Sequence, residues 1–271
     1  MADSINNSIK TWDFESCKPY LSIPKPSDHK YKRGVLGCFT GSRQYPGAAL
    51  LTTAAALSVG IGMVRYFGPR SVARAVIQNR AEIVLKNGPI DAMLLGSGIP
   101  STGARLRKLT LRIANRKAVP KVLDAGALFL AGKSNSPTII TPHSGELAKM
   151  LRVEVAQIEA ERIKFAKEAA NLFKVAVLLK GSETIVTDGK NTIILPTASS
   201  WLATAGTGDV LAGLLGGLIV INKGNLNHKN IVEVGATAAF IHAKAAALID
   251  GPISSTKLIE AIQKIVSDLA E

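Results

Sequence analysis

From residue 34 onward, short continuous apolar runs alternate with longer amphipathic stretches, the rhythm of a largely parallel sheet buried between helices on both faces. The pattern predicts strands over 34–39, 62–66, 82–85, 92–95, 121–123, 138–140, 175–179, 183–187 and 192–195. It predicts helices over 48–58, 71–78, 103–116, 145–151, 155–172, 209–221, 231–249 and 255–269. Asp188-Gly189-Lys190-Asn191 reads as the turn of a hairpin between the last two strands. The helices of the last third are rich in small residues and should pack closely on the sheet. Residues 1–33 are polar and include Ser22-Ile23-Pro24-Lys25-Pro26-Ser27, which reads as a peripheral extended arm with one helical turn. No Pro/Ser-rich linker follows the hairpin turn at 188–191, so 34–271 is expected to be a single α/β domain.

Composition narrows the partners. The 271 residues are 47% hydrophobic, enough for a substantial core, and 33 Lys+Arg against 20 Asp+Glu give a net charge of +13. Such a charge suits nucleic acid, an acidic membrane surface or a polyphosphate substrate. The basic residues are spread along the chain, with groupings at 30–33 and 105–117, and aromatics are 5%. That distribution does not make a stacking platform for single strands, so neither a nucleic acid nor a membrane is expected as partner. Cys17 and Cys38 lack metal-ligand spacing and read as free thiols of a cytoplasmic protein. The uncharged run 44–64 is broken by Pro46, Gly47, Gly60 and Gly62, so it reads as a buried helix and a strand. His29, His143, His228 and His242 are scattered, and no side-chain metal site is expected.

The chemistry concentrates in Ala203-Thr204-Ala205-Gly206-Thr207-Gly208-Asp209-Val210. Backbone N–H groups of Gly206, Thr207 and Gly208 at a helix N-terminus make an anion hole, and glycine lets a phosphate approach without meeting a Cβ. Asp209 stands where a carboxylate could take a proton from an attacking hydroxyl. Asp209 as a mere helix cap is the plainer reading, but a cap needs no glycine nest before it. Other segments fall at expected strand ends, where an open parallel sheet gathers its ligands. Residues 41–48 carry Arg43 and bring Ala48 to another helix N-terminus. Gly96-Ser97-Gly98-Ile99-Pro100 is a glycine loop, Thr141-Pro142-His143-Ser144-Gly145-Glu146 opens a helix, and Lys180-Gly181-Ser182-Glu183-Thr184 sets a lysine beside open backbone.

In order along the chain, TGSRQYPGA, LLGSGIPSTG, VLDAGAL, TPHSGELAKML, VLLKGSETIVTDG and ATAGTGDVLAGLLGGLI resemble the ribokinase-like superfamily. Within it they are most similar to the ADP/ATP-dependent NAD(P)H-hydrate dehydratases. The resemblance implies a three-layer sandwich with a mostly parallel sheet, and a lyase that repairs hydrated NADH or NADPH. The ring hydroxyl would be phosphorylated by ADP, or by ATP, and phosphate would then leave, with Mg²⁺ bridging nucleotide oxygens. By the same resemblance Asp209 is the catalytic base, and Ala48, Gly98, His143 and Asp209 contact the hydrated dinucleotide. Lys180, Gly181, Ser182, Glu183, Thr184 and Gly208 would hold the adenine nucleotide, and a homo-oligomer, a tetramer in many relatives, is implied.

The chain departs from the family pattern in three places: Gly96 to Pro100 replaces Gly-Pro-Gly-Leu-Gly, Thr204 replaces a common Asn, and Gly126 replaces an Asp. Pro100 removes one N–H from the loop that carries Gly98. The residues alone also fit a kinase acting on an alcohol of a vitamin precursor or sugar, or a non-enzymatic nucleotide- or nucleic-acid-binding protein. A stable phosphorylated product would mark the first, and steep salt dependence of oligonucleotide binding the second.

Overall fold

The computed structural model describes residues 9–102, 104–115 and 118–270. Residues 1–8 of the expected arm, the two ends of the expected helix 103–116, Lys117 and residue 271 lie outside the described residues. In chain order the elements are β1 (Ile9–Thr11), α1 (Phe14–Cys17), β2 (Val35–Phe39), α2 (Pro46–Leu57), β3 (Met63–Tyr66), α3 (Arg70–Asn79), β4 (Ala92–Leu95), α4 (Ala104–Ala114) and β5 (Lys121–Leu123). They continue with β6 (Thr138–Ile140), α5 (Ser144–Leu151), α6 (Val155–Ala160), α7 (Arg162–Phe173), β7 (Ala176–Leu179), β8 (Ile185–Thr187), β9 (Thr192–Ile194), α8 (Thr207–Ile221), α9 (Ile231–Ala247) and α10 (Ser255–Ala270). A 3-10 helix covers Ala125–Leu130.

The strands form one nine-stranded sheet in the order β1-β9-β8-β7-β6-β5-β4-β2-β3. β8 runs antiparallel to both neighbours, and every other pair is parallel. Alternate strand residues serve opposite layers, as the pleat requires. Leu36, Leu94, Val122, Ile139 and Leu178 pack on the layer of α2, α8, α9 and α10. Phe39, Leu95, Leu123, Ile140 and Leu179 pack on the layer of α5 and α7. The expected three layers are therefore present, and most strands are buried at every position because both faces are covered.

Helix α8 lies between the sheet and α2, and its glycines permit the close approach. A Cβ at Gly213 would sit 2.3 Å from the Thr52 carbonyl oxygen, one at Gly217 2.7 Å from that of Ala56, and one at Gly216 3.0 Å from Leu36. Gly206 meets Leu51 in the same way, so α2 and α8 run side by side and deliver their N-termini to one end of the sheet.

The structure departs from the sequence reading in several places. The segment taken for a peripheral arm is docked: β1 pairs with β9, Trp12 and Cys17 are buried, and the Tyr20 hydroxyl donates to Glu233 at 2.8 Å. An open strand edge offers unpaired backbone groups, and this short strand takes them up on β9. Residues 82–85 make only a single bridge, Arg65 to Val84, instead of a strand. The Arg65 guanidinium donates to the carbonyls of Lys86 and Pro89 and turns the chain back across the sheet. The expected helix 155–172 breaks at Glu161, where φ is −136°. Cys17 and Cys38 are free and buried, and burial pushes the Cys17 thiol up to about 12. Among the described residues no helix is long and apolar enough to cross a membrane.

Candidate functional site

Helix α8 begins at Thr207, two residues before the sequence expectation, so Gly208 and Asp209 lie within its first turn. Gly206 caps it with φ +91°, a left-handed conformation that glycine adopts without strain. The Thr207 N–H turns to the Thr204 carbonyl at 3.4 Å. Among the described residues the N–H groups of Gly206, Gly208 and Asp209 have no partner, so of the expected donors only Thr207 is taken up, and Asp209 joins the set. Three bonds brace this start: the Thr207 hydroxyl reaches the Leu202 carbonyl at 2.7 Å, Ser255 Oγ donates to the Ala205 carbonyl at 3.0 Å, and His242 Nε2 lies 3.0 Å from the Thr207 carbonyl.

Facing this helix end is a charge cluster built at the carboxyl ends of β5 and β7. Lys180 Nζ donates to Asp124 Oδ1 at 3.1 Å and lies 3.8 Å from Glu146 Oε2. Asp124 also accepts from Ser97 Oγ and from Thr141 Oγ1, each at 2.8 Å. A Cβ added at Gly208 would lie 3.7 Å from Lys180 Nζ, so the ammonium stands over the start of α8. Burial works against the charge on Lys180, but Asp124 and Glu146, with Asp209 beyond them, outweigh it and hold the ammonium above its ordinary value. Burial first, and then the charge of Asp124, push the Asp209 carboxyl from 3.8 up to about 7, while Lys180 pulls it down. A carboxyl poised there suits a general base at neutral pH.

Most of the residues expected to hold the nucleotide are brought together. A cavity of about 710 Å³ is lined by His143, Lys180, Gly181, Ser182, Thr184 and Gly208, with Leu195, Leu202, Leu211 and His242 among its other walls. Glu183 is not among the lining residues and borders a separate hollow with Arg162 and Lys167. His143 is exposed and caps α5: its Nδ1 accepts from Gly145 N at 3.0 Å and Glu146 N at 3.3 Å, while Glu146 returns a bond to the His143 N–H. With Nδ1 accepting, Nε2 is the ring donor, and it lies 3.5 Å from Glu146 Oε2 on an exposed edge of the ring. Ala48 and Gly98 meet on the other side of the site, where a Cβ at Gly98 would lie 2.3 Å from Ala48 Cβ. Gly41 N donates to the Ser97 carbonyl at 2.7 Å, so this glycine loop, Ser97 and Asp124 form one continuous wall. Arg43 is exposed at its rim.

The role of Asp124 escaped the sequence reading, although an acid directly after an apolar strand was the available signal. Ala125 holds φ +41°, an uncommon conformation for a residue with a Cβ, and the strain sits next to the acid it orients. Arg162 and His242 were missed as well. Arg162 binds Ser144 Oγ at 2.9 Å and the Lys180 carbonyl at 3.1 Å, joining the starts of α5 and of the Lys180 loop. These are tertiary contacts with no local pattern.

Two of the departures from the family pattern explain each other. A Cβ at Gly126 would lie 2.1 Å from the Ile99 carbonyl oxygen and 3.1 Å from that of Pro100. The loop ending in Pro100 therefore packs against bare backbone, and Gly126→Asp is expected to push it away. Displacing backbone costs more than ordinary overpacking, so a loss of at least ~2 kcal/mol is expected in urea unfolding, together with weaker substrate binding.

A model of the NAD(P)H-hydrate dehydratase family matches residues 36–266. The bifunctional NAD(P)H-hydrate repair enzyme of Mycobacterium leprae is 32% identical over 268 residues, covering 92% of this chain and 54% of that protein. That of Corynebacterium glutamicum is 33% identical over 258 residues, covering 83% of this chain and 44% of that protein. The chain thus spans about half the length of the curated relatives it matches. The ADP/ATP-dependent NAD(P)H-hydrate dehydratase of Bacillus subtilis, co-crystallised with ATP and Mg²⁺, superposes with a TM-score of 0.84 at 25% identity over 96% of this chain and 99% of that one. A ribokinase-like superfamily protein from Enterococcus faecalis reaches the same TM-score, 0.84, at 18% identity, which supports the fold alone. With the family model spanning both halves of the site, from the glycine loop after β2 to α10, the chain belongs to the NAD(P)H-hydrate dehydratase family and has the ribokinase-like fold.

Proposed function

We propose that this protein dehydrates the hydrated form of NADH or NADPH at the expense of ADP or ATP, with Asp209 as the catalytic base. The observation that carries the reading is a carboxyl raised to about 7 in the same helical turn as two free N–H groups, with the Lys180 ammonium opposite. Asp209 takes the proton from the ring hydroxyl as its oxygen attacks the terminal phosphorus, and AMP leaves when ADP is the donor. The ring nitrogen's lone pair then expels phosphate, and loss of a proton from the neighbouring carbon restores the double bond. Gly208 and Asp209 N–H groups and Lys180 are placed to meet the charge on the migrating phosphoryl group, which is where such catalysis lies.

In this reading Lys180, Gly181, Ser182 and Thr184 hold the nucleotide, while Ala48, Gly98 and the Nε2 donor of His143 meet the hydrated dinucleotide. Glu183 would act only through the backbone of its loop. Among the described residues no group of three His, Cys, Asp or Glu side chains is arranged to hold a metal. Mg²⁺ would be carried on the nucleotide's phosphates and not in a protein cage, since the Asp124 oxygens are taken up by Ser97, Thr141 and Lys180. Bound there, it would neutralise phosphate charge. We place the protein in the cytoplasm as a homo-oligomer, with 34–271 as one catalytic domain; light scattering of the purified protein tests the assembly.

The test of the activity is optical. Hydrated NADH, ADP and Mg²⁺ mixed with the purified protein should regain the absorbance of the reduced nicotinamide and release one phosphate per cofactor restored. A stable phosphorylated product with no regained absorbance would instead identify a kinase.

A further inference from the structure

His242 is a buried titratable side chain in the cavity wall to which the proposed chemistry gives no task. It stands on α9, is 6% exposed, and lines the cavity beside Leu211, Ala239 and Ala243. Its Nε2 lies 3.0 Å from the Thr207 carbonyl oxygen. A carbonyl oxygen only accepts, so Nε2 carries the proton and Nδ1 presents a lone pair. Burial lowers the ring to about 4, against the Thr207 carbonyl and together with Lys180, so it remains neutral at physiological pH. Nδ1 has no partner among the described residues and is not a closed-off buried atom. The cavity therefore contains a fixed acceptor whose orientation is set from the opposite side of the ring.

Its position favours a base over a phosphate. Carbonyls of a helix point toward its C-terminus, so the Thr207 carbonyl and His242 lie down the axis from the free N–H groups of Gly208 and Asp209. There the cavity is bounded by Leu211, Ala239 and Ala243, apolar surface suited to the flat faces of a purine.

We propose that His242 reads the nucleotide base: its Nδ1 accepts a hydrogen bond from the exocyclic amino group of adenine and rejects bases that present an oxygen at that place. The proposal rests on the adenine-nucleotide reading of this cavity. It makes His242 a specificity-determining residue, distinct from the groups that act on the phosphates.

The test is calorimetric binding of ADP, IDP and 2′-deoxy-ADP to the wild type, His242→Phe and His242→Gln. IDP differs from ADP in carrying a carbonyl in place of the amino group. Leaving a buried acceptor against an oxygen should make the wild type bind IDP about 10- to 100-fold more weakly than ADP. His242→Phe should bring the ADP-to-IDP ratio toward one, chiefly by weakening ADP. His242→Gln, which offers both an N–H and an oxygen, should restore part of the preference. Equal loss for ADP and IDP in His242→Phe would show a brace for Thr207 only and would overturn the proposal. So would equal wild-type affinity for the two nucleotides, or a preference lost with 2′-deoxy-ADP instead of IDP. Those outcomes leave the cavity's nucleotide reading standing, whereas failure of ADP itself to bind removes both.

Discussion

Asp209→Asn is expected to abolish turnover while leaving the dissociation constant of ADP within a few-fold of the wild type. Asparagine keeps the shape of the side chain and the free N–H groups of the first turn of α8, but it cannot take the hydroxyl proton. Losing proton transfer alone costs on the order of 10²–10⁴ in kcat. The same variant should be more stable in alkaline buffer. A carboxyl whose value rises from 3.8 to about 7 on folding stabilises the native state fully below the lower value, and that contribution is lost as pH climbs through the higher one. At about pH 8 the wild type therefore carries a charge where burial disfavours it, at a cost of up to ~4 kcal/mol that the amide relieves. Thermal unfolding should give a higher Tm for the variant at about pH 8, and no advantage near pH 4. Unchanged turnover would remove Asp209 from the base role, and an unchanged Tm at alkaline pH would mean that the carboxyl is not raised.

Lys180→Ala should give the second large effect, on stability and binding together. The ammonium stands between Asp124 at 3.1 Å and Glu146 at 3.8 Å, with Asp209 also within its field. Removing one partner of a buried pair leaves uncompensated charge, a loss of about 3–5 kcal/mol. The folded-state value of Lys180 is raised, so its stabilisation is fully present below 10.5 and persists across the neutral range. The pH dependence of the variant then belongs to Asp209, which loses the cation that favours its charged form: the Tm deficit should be largest at about pH 8 and shrink as the solution is acidified. ADP affinity should fall on the order of 10²-fold, as the loss of a buried charged partner implies. Any residual activity should need higher pH, because Lys180 holds the Asp209 carboxyl down. A Tm deficit independent of pH would argue for lost packing instead.

Much of this arrangement was legible in the sequence, and the limits are physical. Strands covered on both faces read as apolar runs, and Asp188 to Asn191 supplied turn chemistry, with Gly189 at φ +94° and Asp188 Oδ1 accepting two backbone N–H groups. The glycine nest before α8 was visible because it is local in sequence. The exact set of donors was not, since Thr207 turns its N–H back to Thr204 and the Asp209 N–H takes its place beside those of Gly206 and Gly208. β1 was missed because three residues carry too little pattern, and pairing with β9 across the length of the chain decides their state. The break at Glu161 has no glycine or proline to announce it. It starts α7 at Arg162, whose guanidinium is held by Ser144 and Lys180. Asp124, Arg162 and His242 share that character: each acts through a partner distant in sequence. The same holds for Gly126, which looked like a lost carboxylate and is the surface on which the Pro100 loop rests.

The central claim is that a carboxyl raised by burial at the start of α8 deprotonates the hydroxyl while the helix end receives the phosphoryl group. The pH dependence of kcat/KM for restoration of reduced nicotinamide tests it most directly, because that quantity reports the free enzyme's base. The account predicts a climb of about tenfold per pH unit that levels near 7, and loss of that limb in Asp209→Asn. A wild-type profile that is flat between about pH 5 and 8.5, or a limb that survives the substitution, would contradict it.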